Sequence, residues 1–127
     1  MIRRIDHVEI VPADFERSLS FYADVLGFSL KERIEVEAPP IREIAYLTLG
    51  DTMLELLSVS NPASPSGGDW RVGYRMMALE VDDLEETRRE LDGRGAEITW
   101  GPVELEDSVR AEIRDPDGLP VELREWK

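Results

Sequence analysis

Hydrophobic and polar positions alternate along residues 4–11, the period-two pattern of a half-buried strand. The period then changes. Phe15, Leu19, Tyr22 and Leu26 recur at helical spacing behind Asp14, a residue type that caps helix N-termini, and Gly27 supplies a stop. This predicts a helix from Asp14 to about Leu26. Strands are predicted next at about 28–37, 42–49 and 52–60, separated by Pro39-Pro40 and the hairpin-type pair Gly50-Asp51. After residue 73 the pattern restarts. It gives a strand at about 74–81, a helix from Asp83 to about Asp92, and strands near 96–100, 108–114 and 119–125. The last follows the turn Asp115-Pro116-Asp117-Gly118.

Each half therefore reads strand–helix–strand–strand–strand, and the halves repeat in residues as well as in pattern. The run from Ile5 to Glu16 parallels the run from Tyr74 to Glu85, and Leu54-Glu55-Leu56 parallels Val121-Glu122-Leu123. The expected fold is α+β, two tandem βαβββ modules with mostly antiparallel, curved sheets. The modules are expected at 1–60 and 74–127, joined by a linker at 61–73 that is rich in Pro, Ser and Gly. A duplicated module can build a pseudo-symmetric cavity from equivalent strands, and His7, Glu55, Met76 and Glu122 hold equivalent positions in the two halves.

Composition narrows the function classes. The chain has 127 residues, no cysteine and a net charge of −13. Disulfides, thiolate metal sites and cysteine nucleophiles are excluded. So acidic a surface repels nucleic acid and anionic membranes and attracts cations. No apolar run approaches the roughly 20 residues that span a bilayer. A cytoplasmic protein with neither nucleic-acid nor membrane partners is expected.

Strand alternation places His7 with Glu9, Met53 with Glu55 and Leu57, Met76 with Ala78 and Glu80, Arg110 with Glu112, and Glu122 with Arg124 and Trp126. One imidazole and two carboxylates suit a divalent ion. Carboxylates sharing a cavity without a cation repel and raise one another's pKa values. Arg110 and Arg124 are the balancing charges within the chain; a metal is the external one. A lone histidine on a strand is more often a surface or core residue than a ligand. A glutamate within Leu-Glu-Leu-Leu is more often the solvent side of a strand. The residues alone leave both readings open.

The chain resembles the vicinal-oxygen-chelate superfamily of glyoxalase I, methylmalonyl-CoA epimerase, extradiol dioxygenases and bleomycin-resistance proteins. The matching segments are Asp6-His7-Val8-Glu9-Ile10-Val11-Pro12, Ser18-Leu19-Ser20-Phe21-Tyr22, Val25-Leu26-Gly27-Phe28, Leu54-Glu55-Leu56-Leu57, Ala78-Leu79-Glu80-Val81-Asp82-Asp83-Leu84, and Asp115-Pro116-Asp117-Gly118 through Val121-Glu122-Leu123. Together they cover nearly the whole chain and look closest to the epimerase and glyoxalase I branch. The resemblance implies metal ligands at His7, Glu55 and Glu122. It places Met76 where a fourth, histidine ligand usually stands. A thioether is a soft ligand, poorly matched to the hard or borderline ions of such folds. At the position where glyoxalase I carries an arginine for the glutathione carboxylate stands Val11. One histidine in the whole chain nearly excludes a dioxygenase, which needs two.

Two functions follow from the resemblance. The first is a metal-dependent lyase, isomerase or epimerase acting on a small carbonyl compound. A divalent ion (Ni, Zn, Mn or Co) would sit at an altered site, with Glu9 or Glu122 moving the proton. The second is a metal-free small-molecule binding protein of the bleomycin-resistance type. Met53, Met76, Trp100 and Trp126 would line its pocket beside Arg110 and Arg124. A homodimer is implied in either case.

Overall fold

The computed structural model describes residues 1–127. The chain divides into two compact units, Met1–Ser64 and Pro65–Lys127. The first holds strand β1 (Val8–Ile10), helix α1 (Phe15–Ser20) and strands β2 (Ser29–Ala38), β3 (Ile41–Leu49) and β4 (Thr52–Val59). The second holds β5 (Met77–Glu80), α2 (Leu84–Gly93), β6 (Trp100–Glu104), β7 (Ser108–Arg114) and β8 (Pro120–Trp126). Each unit is one four-stranded mixed sheet, ordered β1-β4-β3-β2 in the first and β5-β8-β7-β6 in the second. In both, the opening strand runs parallel to the closing one, and the remaining pairs are antiparallel. The α+β expectation of two βαβββ modules therefore holds.

The repeat extends to register. Glu9 pairs with Glu55 across β1 and β4, and Ala78 pairs with Glu122 across β5 and β8. Tyr46 opposes Glu55 as Glu112 opposes Glu122, and Ile44 opposes Leu57 as Arg110 opposes Arg124. Directly paired residues share a face. So Ala45, Leu47, Leu54 and Leu56 form the inner face of the first sheet. They are fully buried together with Leu19 and Tyr22 of the helical segment. Tyr22 meets Phe28 edge-on at a 6.0 Å centroid separation. In the second unit Ala111, Ile113, Val121 and Leu123 are buried with Leu84 and Leu91 of α2. The opposite face of each sheet carries the ionisable residues.

Both helices start as their sequences dictate. Asp14 accepts from the Arg17 amide, and Asp83 accepts from the Glu86 amide at 2.8 Å. In α2 the Glu125 carboxylate of β8 also accepts from the Leu84 amide at 2.7 Å, adding an anion at the positive helix end.

Four boundaries differ from expectation, one of them the strand expected at about 74–81, which spans only Met77–Glu80, the residues paired with β8. The first helix is α-helical only to Ser20. Residues Phe21–Val25 then widen into a π-turn closed by a Leu26 amide bond to the Phe21 carbonyl, and Gly27 follows at φ +84°. The strand expected at 96–100 lies at 100–104, because residues before it are spent on closing α2. The Ala96 amide reaches back to the Leu91 carbonyl, with Gly95 at φ +83°. The first strand begins at Val8 rather than at residue 4, since β4 offers pairing partners only to Val8, Glu9 and Ile10.

Candidate metal centre and arginine cluster

In the first unit the site grows from the register of β1 on β4. Glu9 lies beside Glu55, and His7, two residues before Glu9, comes to the same face. His7 Nε2 stands 3.0 Å from Glu55 Oε2 and 3.8 Å from Glu9 Oε2. One ligand atom from each of the three residues lies within 4.8 Å of the others. Asp6 takes the other ring nitrogen, with Nδ1 and Asp6 Oδ2 2.9 Å apart. With the Nδ1 proton given to Asp6, a neutral imidazole would point its Nε2 lone pair straight at the Glu55 carboxylate. Two acceptors 3.0 Å apart need a proton or a cation between them.

The charges around the two groups act in the same sense. The bond to Asp6 raises the His7 pKa above its ordinary 6.5, opposed by desolvation and helped by the charges of Glu55, Asp6 and Glu9. Burial raises the Glu55 pKa; His7 lowers it, and Glu9 and Asp6 raise it further. Glu55 is buried, His7 half-buried and Glu9 exposed. The residue set fits a divalent ion. It offers one imidazole and two carboxylates of mixed exposure, and a carboxylate behind the imidazole fixes its orientation. Met53 shares this face two residues before Glu55 and is half-buried.

The second unit keeps the glutamate and changes everything around it. Glu122 is buried, and it accepts a 2.9 Å hydrogen bond from Arg124 Nη2. Arg110 Nε lies 2.7 Å from the same oxygen, off the N–H axis, so this contact is an ion pair. Glu112, also buried, has Arg75 Nη2 and Arg110 Nη2 each 3.6 Å away. Every guanidinium of the group lies over an indole. Arg75 is 4.4 Å from Trp70, Arg110 5.0 Å from Trp100 and Arg124 5.1 Å from Trp126. Met76 is half-buried just before β5, at the place where His7 precedes β1. Here the Glu122 carboxylate is held by two guanidinium ions, where Glu55 meets an imidazole.

Of the residues expected at a site, His7, Glu9 and Glu55 gather in the first unit, and Arg110, Arg124, Trp100, Trp126 and Glu122 gather in the second. Sequence reasoning missed Asp6, Arg75 and Trp70. Asp6 was visible as the neighbour of the one histidine. Arg75 alternates out of the Met76 face, but it precedes β5, where strand alternation no longer governs direction.

The chain is similar to known proteins. A 128-residue alignment with the lactoylglutathione lyase of Salmonella typhimurium shows 29% identity, covering 98% of this chain and 93% of that protein. The Escherichia coli protein YaeR is 29% identical over 125 residues, with 98% and 97% covered. The crystal structure of a glyoxalase family protein from Enterococcus faecalis is 31% identical and superposes with a TM-score of 0.80, covering 97% of this chain and 98% of that one. Residues 4–123 match the family model for these proteins, and the chain belongs to the glyoxalase/bleomycin resistance protein/dioxygenase superfamily.

Proposed function

We propose that this protein is a divalent-metal-dependent lyase or isomerase acting on a small carbonyl compound, with His7, Glu55 and Glu9 as its ion-holding residues. The observation that carries this reading is the 3.0 Å approach of His7 Nε2 to Glu55 Oε2 with Nδ1 already engaged by Asp6. The likeness to a lactoylglutathione lyase over almost the full length supports it. When bound, such an ion polarises a carbonyl or enediolate oxygen.

The chain's own residues supply the rest. Asp6 holds the imidazole in one tautomer. Glu9, the exposed acid of the three, moves a proton on the carbon next to that carbonyl. Glu122, with its carboxylate against Arg110 and Arg124, is assigned to ligand binding along with Trp100, Trp126, Met53 and Met76. Exposed apolar residues at Ile5, Val8 and Val11 support a homodimer in which a second copy covers them. No helix is long and apolar enough to cross a membrane, in keeping with a cytoplasmic place of work.

The test is metal analysis of the purified chain, paired with an assay of lactoylglutathione formation. One ion of Ni, Zn, Mn or Co per chain is expected, lost with activity in His7→Ala and Glu55→Gln. A wild-type chain that binds none of these ions sinks the reading. It would leave the metal-free small-molecule binding protein, which the guanidinium-held Glu122 and Met76 favour.

A further inference from the structure

We propose that the ionisable face of the second unit's sheet binds the carboxylate of a small organic acid, with Arg75 as the residue that takes it. Arg75, Arg110 and Arg124 contact only two carboxylates, Glu112 and Glu122, within 4 Å. Nearby Asp69 is engaged by Arg114, which donates to both of its oxygens. Glu80, opposite Arg124 across β5 and β8, is exposed and makes no ion pair.

Donors are left over on this face. Four buried side-chain polar atoms in the chain lack a hydrogen-bond partner. Three are guanidinium nitrogens of this cluster: Arg110 Nε, which is ion-paired with Glu122 at 2.7 Å, and Arg75 Nη1 and Arg124 Nε, which have no such contact. Buried donors are rarely left unmade without a cause. Arg75 makes no hydrogen bond at all, since its nearest carboxylate oxygen is 3.6 Å away, beyond bonding reach. A guanidinium fork presents parallel N–H groups that match a carboxylate in two-point contact. Stacking on an indole fixes the plane of the fork and leaves its edge free. The indoles offer an apolar wall to the carbon skeleton of the ligand. Taken with the carbonyl chemistry proposed above, on which this last step rests, the ligand is an oxo or hydroxy acid.

The experiment uses the metal-stripped full chain. All three tryptophans belong to this cluster, so indole emission reports on it alone. Formate, pyruvate and lactate are each titrated against sodium chloride of equal ionic strength, with inorganic phosphate as a separate arm and calorimetry on the same samples. A saturable response to pyruvate or lactate is expected. It should weaken roughly tenfold or more in Arg75→Ala, the scale of a lost charge-assisted contact. Arg75→Lys, which keeps the charge and loses the fork, should recover only part of the affinity. The thermal midpoint should fall in Arg75→Ala, which loses the contacts to Glu112 and Trp70, and stay closer to wild type in Arg75→Lys, so the lysine variant separates lost recognition from lost stability. The proposal is overturned by no saturable response to any of the three acids, by a response that chloride reproduces, by phosphate binding at least as tightly, or by wild-type affinity in Arg75→Ala. Ion binding at His7 is measured separately on the same preparation, so each reading can fail without the other.

Discussion

The two units share a backbone plan and differ in how they treat one carboxylate. Glu55 and Glu122 occupy the same register on β4 and β8. Around Glu55 stand Glu9, Tyr46, Ile44 and Leu57; around Glu122 stand Ala78, Glu112, Arg110 and Arg124. The first glutamate meets an imidazole nitrogen and a second acid, and its one cationic neighbour is a group that titrates. The second is neutralised from both sides by guanidinium ions that stay charged at any working pH. Duplication preserved the apolar inner face, which a sheet packed on a helix cannot surrender. It left the ionisable face free to diverge into a cation-seeking half and an anion-seeking half.

The largest effects should fall on what the units share. Leu56 and Leu123 are equivalent and fully buried, so alanine at either should cost about 2–5 kcal/mol in urea denaturation. Costs that differ by more than the spread of that range would break the equivalence of the two cores. Ion affinity should separate the units next. Glu55→Gln should weaken binding of a divalent ion by about tenfold or more, while Glu122→Gln should leave it within about twofold. Calorimetry showing equal losses would place Glu122 among the ligands and undo the contrast. Met76→His alone should add no second ion, since Arg110 and Arg124 still occupy Glu122.

The pH dependence sharpens the first half of the comparison. His7 is the one histidine, so a single imidazole signal reports on it by proton NMR. In the metal-free chain it should titrate above 6.5, and Glu55→Gln should bring it down, though not fully while Asp6 remains. An imidazole stabilised in its charged form gives folding stability that is complete below the unfolded value and lost as pH rises through the folded one. An ion competes with that proton. Its occupancy should therefore fall away, on acidification, at a higher pH than for an ordinary histidine. Helix caps give the smallest effect. Asp14→Ala and Asp83→Ala should each cost about 1 kcal/mol. The second should cost less, because Glu125 still caps α2 from β8.

Much of this was legible along the chain. The strand alternation, the capping aspartates, the glycine stops and the repeat foretold two βαβββ modules and the strands carrying Glu9, Glu55 and Glu122, with His7 just ahead of the first. Residues 96–99 were misread because a helix closing on Leu91 and a strand opening there look alike in a short segment ending at Trp100. Such patterns are set by local backbone preference and by burial of one face, both of which act through near neighbours in sequence.

Sequence by itself determined which residues share a face and that the halves are copies. Only the tertiary structure decided which charge answers which. Arg110 and Arg124 sit on adjacent strands of one sheet, and their long arms can reach several acids. The choice of Glu122 depends on register and on the indoles beneath them. His7 likewise became a site only when β1 docked parallel to β4 and set its ring nitrogen against Glu55. Electrostatic pairing depends on distances through space, and those are fixed by long-range strand pairing rather than by any local pattern.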